Sequence, residues 1–189
     1  MEVDAAPAPT VTVTAARPPA WTDRVLAYRL LWFLGVLVFT LDQLTKTWVV
    51  LNLRFPTYWP EEGAIVVIKG FFNLVHVGNT GAAWSLFSGQ SSLLALLAGA
   101  TLFGIYFWRR HLGLEHRRAQ FAFGLLCGGI VGNFFDRILH GHVIDFLDFH
   151  FGDYIYPTFN LADAGICVGV LIYLWHSFRE PLPPAPPAA

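Results

Sequence analysis

The sequence predicts an all-α membrane protein: a four-transmembrane-helix bundle with a small outward-facing β platform and an interfacial segment between helices three and four. The chain is 55% hydrophobic and 13% charged, and its mean hydropathy is +0.51. It contains four apolar stretches long enough to cross about 30 Å of hydrocarbon. Arginines gather on one side of these stretches, which sets an orientation. The 189 residues therefore suffice for one membrane domain and leave no room for a typical soluble domain.

The predicted helices cover residues 28–51, 91–108, 119–139 and 160–178. Four arginines between residues 109 and 118 fill the connection between the second and third helices, whereas the opposite side carries only Arg54 and Lys69. By the positive-inside rule, both termini and this connection are cytoplasmic. The segments 52–90 and 140–159 then face outward.

The two ends of the chain have a composition typical of disordered segments. Residues 1–25 are rich in Ala, Pro and Thr, and residues 180–189 in Pro and Ala. We expect both to be cytoplasmic tails of one domain that spans residues 26–179. The net charge of −1 gives no electrostatic basis for a nucleic-acid partner.

The outward segments differ in pattern. Residues 63–70 and 71–77 are short β-branched and aromatic runs bounded by glycine, which predicts two or three strands at the membrane surface. Residues 140–159 interleave Asp145, Asp148 and Asp153 with Phe and Tyr, a pattern typical of chain lying in the interfacial aromatic belt.

Polar residues inside the predicted third helix are costly in a bilayer and are therefore candidates for function. Asn133, Asp136 and Arg137 stand at i, i+3 and i+4, so they share one side of the helix, where Arg137 can pair with Asp136. Gly128 and Gly132 form a small-xxx-small pair that would let another helix approach closely. The alternative is that these polar groups form a polar knot, a cluster of side chains whose only role is to hold the helices together.

Two further polar pairs lie on the first and fourth helices. Asn160 and Asp163 stand at i and i+3, and either could be a helix cap, although capping alone explains one of them and not both. Asp42 and Lys46 stand at i and i+4 with the acid first, the favourable order for an ion pair. We interpret this second pair as a neutralised structural ion pair.

The outward ends of the third and fourth helices lie on the same side, so Asp145, just after the third helix, and Asp163, at the start of the fourth, could converge at the outer membrane face. Two close carboxylates in a poorly solvated site share a proton, so that one activates water while the other donates to a carbonyl oxygen. Motifs of zinc, rhomboid-type serine and presenilin-type aspartyl proteases are missing from the sequence. His140 and His142 match no standard metal spacing, and we expect no metal.

The chain resembles type II signal peptidase, the bacterial lipoprotein signal peptidase and an intramembrane aspartyl peptidase family, over residues 41–175. The resemblance rests on blocks that occur in family order: Asp-Gln-Leu-Thr-Lys at 42–46, Asn-Thr-Gly-Ala-Ala-Trp-Ser at 79–85, Gly-Asn-Phe-Phe-Asp-Arg at 132–137, Val-Ile-Asp-Phe at 143–146 and Phe-Asn-Leu-Ala-Asp at 159–163. Any one block is weak, but the ordered set is highly specific. Trp84 departs from the family, which more often has Phe there.

The resemblance implies that Asp145 and Asp163 are the catalytic aspartates. It implies that Asn133, Arg137 and Asn160 line the site and contact the substrate backbone or orient the two aspartates. Further family motif positions, with supporting roles, are Asp42, Lys46, Asn79, Gly81 and Asp136.

The resemblance also implies a function. Such enzymes cut the signal peptide from a prolipoprotein just before a cysteine that carries a diacylglyceryl group, so the partners are lipid-modified prolipoproteins and membrane lipids. We expect a monomer in the bacterial cytoplasmic (inner) membrane, with its active site near the outer face and no cofactor. From the residues alone, the rivals are a small transporter or ion-binding protein that uses the same acids, and a structural assembly factor.

Overall fold

The computed structural model describes residues 25–179, so all but residue 25 of the predicted tails lies outside the described residues. The four long helices are α1 (Arg29–Asn52), α2 (Ser91–Phe107), α3 (Arg117–His140) and α4 (Leu161–Arg179). Their ends fall within two residues of the predicted ones, because apolar runs of this length leave few alternatives for the boundaries.

Three of these helices, α1, α3 and α4, are long and apolar enough to cross a membrane. The remaining apolar helix, α2, has 17 residues, which corresponds to about 26 Å at 1.5 Å per residue. That is shorter than a hydrocarbon core of about 30 Å. Three spanning helices are therefore supported, and the fourth span stays a prediction.

Helix α3 lies at the centre of the bundle and packs against α1, α2 and α4. A Cβ atom at Gly128 would lie 2.6 Å from the Gly35 carbonyl oxygen of α1, and one at Gly132 would lie 2.5 Å from Asp42 Oδ2. Both distances are too short for a side chain. The predicted close helix approach at this small-residue pair is confirmed, and it brings α1 against the polar side of α3.

An antiparallel four-stranded sheet covers one end of the bundle, with strand order β1-β2-β3-β4. Its strands are β1 (Ile65–Ile68), β2 (Phe72–Asn79), β3 (Val143–Phe151) and β4 (Tyr154–Ile155). The strands expected within residues 63–77 are confirmed as β1 and β2.

Residues 140–159, expected to lie in the membrane interface, also supply β3 and β4, so this segment joins the same sheet as β2. Strand β3 is held there by burial: Ile144 and Phe146 pack with Val49 and Leu53 from the end of α1. Aromatic residues that suit a membrane interface also suit strands, so composition did not separate the two structures.

Candidate active site

Asp145 lies on β3, and its side chain is 2% exposed. Its Oδ1 atom accepts a hydrogen bond of 2.6 Å from Asn160 Nδ2, and its Oδ2 atom accepts one of 3.0 Å from Asn79 Nδ2. Strand β2 therefore supplies one amide and the start of α4 the other. Both carboxylate oxygens have a donor, as a buried acid requires.

Asp163 lies in the first turn of α4, and Asn160 caps the same helix. The Asp163 backbone N–H donates to Asn160 Oδ1 at 2.9 Å, and the Asn160 backbone N–H donates to Asp163 Oδ2 at 3.3 Å. This reciprocal pair is a capping box. The expectation that capping explains one of these residues and not both is therefore wrong, since the side chain of each residue accepts a hydrogen bond from the backbone N–H of the other.

Asn160 joins the two aspartates. Its side chain is fully buried, and its Nδ2 atom, besides its bond to Asp145, donates to Asn133 Oδ1 at 3.2 Å. Asn133 Nδ2 in turn donates to Asp163 Oδ1 at 2.7 Å. Asp145 and Asp163, expected to converge, thus belong to one hydrogen-bond network through two amide side chains.

The surroundings of Asp145 favour its protonated form. Burial raises the pKa of Asp145 to about 7, and the negative charge of Asp163 adds to this rise. Hydrogen bonds from Asn79 and Asn160 and the charge of Lys46 act in the opposite direction. A carboxyl that gains and loses a proton near neutral pH is suited to acid–base chemistry.

The predicted ion pair between Asp42 and Lys46 is confirmed and extends to a third residue. Lys46 Nζ lies 2.8 Å from Asp42 Oδ2 and 2.7 Å from Asp136 Oδ2. The expectation that Asp136 pairs with Arg137 is corrected by this contact, because the close α1–α3 approach places Lys46 at Asp136 instead. Lys46 Nζ also donates to Asn133 Oδ1 at 3.1 Å.

This contact determines how the Asn133 amide is oriented. An ammonium group can only donate hydrogen bonds, so the atom facing Lys46 must be the Asn133 oxygen. The Asn133 nitrogen then points to Asp163. The ion-pair group, Asp42, Lys46 and Asp136, is almost fully buried and reaches Asp163 through this one amide.

The same acids tie neighbouring elements to the site. Asp42 Oδ1 accepts a hydrogen bond of 2.9 Å from the Ala162 backbone N–H at the start of α4. Asp136 Oδ2 accepts one of 3.1 Å from the Ile144 backbone N–H, next to Asp145. The buried ion-pair group therefore fixes both chain segments that carry the candidate catalytic aspartates.

Arg137 connects α3 to the segment after β2. Its Nη2 atom donates to the Gly81 carbonyl oxygen at 3.0 Å, and its Nη1 atom donates to the Asn133 carbonyl oxygen at 3.3 Å. The Gly81 N–H donates to Asn79 Oδ1 at 2.9 Å, which leaves Asn79 Nδ2 for Asp145. Every residue predicted for the site is thus part of one connected network.

A cavity of about 880 Å³ borders this network. Asn79, Asn133, Arg137, Asp145 and Asp163 line it on the polar side. Trp84, which stands where the family more often has Phe, also lines it and is 65% exposed. The cavity therefore presents both aspartates to the same space, beside apolar wall residues.

Two features of the site are missing from the predicted residue set. Gln43 donates from Nε2 to Asp136 Oδ1 at 3.0 Å and to Asp42 Oδ2 at 3.2 Å, and its place inside the first motif block was the available signal. Asp148, which was expected only as part of the interfacial segment, also lines the cavity and is 6% exposed.

A bulge in β3 explains why the side chain of Asp148 faces the cavity. The N–H groups of Phe146 and Leu147 both donate to the Phe159 carbonyl oxygen, at 3.1 and 2.8 Å. Two residues of β3 therefore oppose one, which breaks the simple alternation of side chains. Asp145 and Asp148, three residues apart, both line the cavity as a result.

The cavity shows no built metal site among residues 25–179: no group of three or more His, Cys, Asp or Glu side chains there is arranged to hold an ion. His140 and His142 contact each other through their rings, and His142 stacks on Phe55. These histidines take part in aromatic packing.

Comparisons with known proteins agree on one family. The family model for signal peptidase (SPase) II matches residues 34–179. The lipoprotein signal peptidase of Pseudoalteromonas atlantica is 39% identical over 156 residues, which cover 80% of this chain and 90% of that protein. The lipoprotein signal peptidase of Bacillus pumilus is 36% identical and covers 75% of this chain and 87% of that protein.

The fold is similar to a solved structure described as a bacterial membrane enzyme, determined by the in meso method at 2.3 Å resolution. The TM-score is 0.68 at 28% sequence identity, over 79% of this chain and 89% of that one. The family match includes every residue of the polar network. The chain belongs to the signal peptidase II family.

Proposed function

We propose that this chain is an aspartyl endopeptidase that removes the signal peptide from diacylglyceryl-modified prolipoproteins, cutting just before the lipidated cysteine. Membership of the signal peptidase II family supports the coarser statement, a bacterial membrane peptidase that processes prolipoproteins. The finer proposal is carried by one observation. Asp145 and Asp163 line one cavity and are linked through the Asn160 side chain and backbone.

The proposed mechanism begins with one proton shared by the two carboxyl groups. The positive end of the α4 dipole and the Asn133 amide stabilise Asp163 as a carboxylate, whereas burial and the charge of Asp163 favour a proton on Asp145. Asp163 then takes a proton from water, whose oxygen attacks the scissile carbonyl carbon. Asp145 donates its proton to the carbonyl oxygen.

The resulting tetrahedral diol breaks down by the reverse transfers. Asp163 gives its proton to the leaving nitrogen as the carbon–nitrogen bond breaks, and Asp145 recovers a proton from the diol hydroxyl. The products are a new carboxyl end on the signal peptide and a new amine on the lipidated cysteine. The pair returns to its starting state with one shared proton, so it titrates as a unit.

Arg137 is the group best suited to bind the peptide backbone beside the scissile bond. In the described part of the chain its Nε atom is one of two buried side-chain atoms without a hydrogen-bond partner. The Nη1 and Nη2 atoms each donate one hydrogen bond, to the carbonyl oxygens of Asn133 and Gly81. Each of these atoms carries a second hydrogen, and Arg137 lines the cavity, so its guanidinium group can bind a peptide carbonyl oxygen there.

We further propose that the enzyme acts as a monomer in the cytoplasmic membrane, with four spans and the cavity near the outer face. One chain supplies the whole network, which favours a monomer. The apolar character of α2 and the arginine-rich connection after it favour a fourth span with cytoplasmic termini. The family match favours the peptidase over a transporter or an assembly factor.

Asp145→Asn and Asp163→Asn test the aspartyl mechanism. Each should lower cleavage of a lipidated precursor by about 10²–10⁴-fold or more, because the shared-proton pair loses its acid or its base. Thermal unfolding in detergent checks that both variants fold. Asp153→Asn is the matched control, since Asp153 is an exposed aspartate outside the network, and it should cleave like the unmodified protein. Near-normal turnover by either dyad variant would remove the aspartyl mechanism.

Thiol labelling tests the orientation. Single cysteines are placed between residues 109 and 118 and between residues 65 and 76, in a background without Cys127 and Cys167. An impermeant reagent added to intact cells should label only the second set, after the outer membrane is opened if there is one. Labelling of the first set instead would put the cavity on the cytoplasmic side and contradict the peptidase proposal.

A further inference from the structure

A second polar cluster lines the cavity without touching the aspartate pair. Asp148 Oδ2 accepts a hydrogen bond of 2.5 Å from His150 Nε2 and one of 3.2 Å from Asn73 Nδ2. Thr158 Oγ1 lies 3.5 Å from Asp148 Oδ1. Asp148 and Asn73 are buried, and Asp148 and His150 both line the cavity. A buried carboxylate with this many partners is an organised feature, and the mechanism above does not use it.

The cluster joins the same three chain segments that bring polar groups to Asp145. Asn73 lies on β2, the strand that also carries Asn79, and its Cα is paired directly with that of Asp148. Asp148 follows Asp145 on β3 by three residues. Thr158 precedes Asn160 by two. Strand β2, strand β3 and the segment before α4 therefore meet at Asp148 and again, three residues earlier on β3, at Asp145.

The backbone pairing between these segments is irregular next to Asp145. The β2–β3 register breaks between Leu74 and Val77, and the amides of Phe146 and Leu147 share one carbonyl oxygen, that of Phe159. Bulges disrupt the ladder locally, so backbone hydrogen bonds alone specify the register weakly here. A charge-assisted side-chain clamp next to the bulge supplies the missing constraint.

We propose that Asp148, held by His150 and Asn73, is a positioning residue that fixes β3 against β2 and the segment before α4, and thereby keeps Asp145 at Asn160. The proposal rests on the proposed aspartyl mechanism. Displacement of a catalytic group by about 1 Å can cost on the order of 10²-fold in rate. Loss of the clamp should therefore lower kcat more than it changes KM.

The test uses full-length enzyme, a lipidated precursor and steady-state kinetics. Asp148→Asn should lower kcat by about 10–100-fold with KM within about threefold. The exchange variant Asn73→Asp with Asp148→Asn puts the carboxylate on the opposite strand. Asn73 Nδ2 lies 3.3 Å from His150 Nε2, so the moved carboxylate can still accept from His150 and from the new amide. The exchange should restore kcat to within about fivefold of the unmodified enzyme.

Other outcomes overturn the proposal. A higher KM with unchanged kcat in Asp148→Asn would make the carboxylate a substrate contact. Failure of the exchange variant to recover activity despite normal thermal stability would mean that the carboxylate is needed at position 148 itself. Loss of kcat only in proportion to the unfolded fraction would make the cluster purely structural, and Asp153→Asn gives the baseline for that comparison.

Two arms keep the test decisive. If Asp148→Asn does not fold, His150→Gln replaces it, because Gln keeps a donor without the imidazole; kcat must then fall by a smaller factor, and unchanged kcat overturns the proposal. Asp145→Asn is run in the same assay. If Asp145→Asn stays active, the aspartyl mechanism fails. The claim that the clamp positions a catalytic Asp145 then fails as well, whereas the claim that the clamp fixes β3 against its neighbours does not. Normal kcat in both clamp variants with an inactive Asp145→Asn overturns the clamp alone.

Discussion

Asn160 and Asp163 hold each other at the start of α4, through the Asp163 N–H on Asn160 Oδ1 at 2.9 Å and the Asn160 N–H on Asp163 Oδ2 at 3.3 Å. The capping box thus includes a candidate catalytic carboxylate. The N-terminal end of a helix also favours negative charge. The element that begins the fourth helix is therefore the same one that orients Asp163 and, through the Asn160 side chain, contacts Asp145 at 2.6 Å.

Asn160→Ser separates capping from catalysis. Ser caps helices about as well as Asn, so Asn160→Ser should lose only the stability that the Nδ2 hydrogen bonds contribute and should keep the contribution of the cap. The Nδ2 donor to Asp145 and Asn133 is lost, and kcat should fall by about 10–100-fold. Asn160→Ala is the comparison, because it loses the cap as well and should also lose about 1 kcal/mol of stability. Equal stability losses in both variants would show that Asn160 acts by structure alone.

Lys46→Met should destabilise the protein strongly, by about 3–5 kcal/mol, because it leaves two buried carboxylates without their cation. Neutralising the whole group with Asp42→Asn, Lys46→Met and Asp136→Asn should recover much of that loss. Activity should stay low in the neutral variant, since the Asn133 oxygen loses the ammonium donor and keeps only its bond from Asn160, which holds the amide less firmly toward Asp163. Denaturation curves and cleavage rates measure the two effects separately.

Recovery of both stability and turnover in the neutral variant would contradict this account. It would mean that the buried ion pairs only fasten α1 to α3, as the polar-knot alternative holds. Gln43→Leu is a milder control, because Gln43 bonds the same acids without contacting Asn133. It should lower stability with a smaller effect on kcat than Lys46→Met.

The helices were predictable from sequence, and the polar residues of the network stood out as candidates, because the bilayer makes these signals strong. Long apolar runs define α1, α3 and α4, and each intramembrane acid or amide stands out against them. The i, i+4 spacing predicted the pairing of Asp42 with Lys46. It could not reveal Asp136 as a second partner, because that contact depends on how closely α1 approaches α3 at Gly128 and Gly132.

The sheet was only half predictable for a different reason. Residues 63–77 carry glycine-bounded strand runs, whereas residues 143–151 form a strand through pairing with β2 and burial on α1, both of them long-range effects. The burial of Asp148 depends further on a bulge at Phe146 and Leu147. Alternation along one strand cannot show where an extra residue is inserted.

The pKa of Asp145 predicts how stability depends on pH. Its folded value of about 7 lies above the ordinary value of 3.8, so the folded state holds this proton more tightly than the unfolded state. The stabilisation is complete below about pH 4 and is lost as pH rises through about 7. Each pKa unit corresponds to about 1.4 kcal/mol. Raising the pH from 5 to 8 should therefore destabilise the unmodified protein more than Asp145→Asn. Thermal unfolding of both proteins across this range measures the difference.

A loss of stability that is the same in both proteins over this range would show that Asp145 does not have the raised pKa. Asp153→Asn should retain the full pH dependence, because Asp153 is exposed and outside the network. Comparing the variants cancels every contribution to the pH dependence that the proteins share.

Arg137→Lys tests whether the guanidinium acts on substrate or only on the bundle. Lysine keeps the positive charge but has no planar fork, so it cannot hold the Gly81 and Asn133 carbonyl oxygens and still present a donor to the cavity. We expect kcat to fall by about 10–100-fold with little change in thermal stability, because the charge beside Asp163 remains. Arg54→Lys, at an exposed arginine outside the network, is the matched control and should cleave normally. If Arg137→Lys instead unfolds in proportion to its lost activity, Arg137 fastens the segment after β2 to α3 and does not bind the peptide.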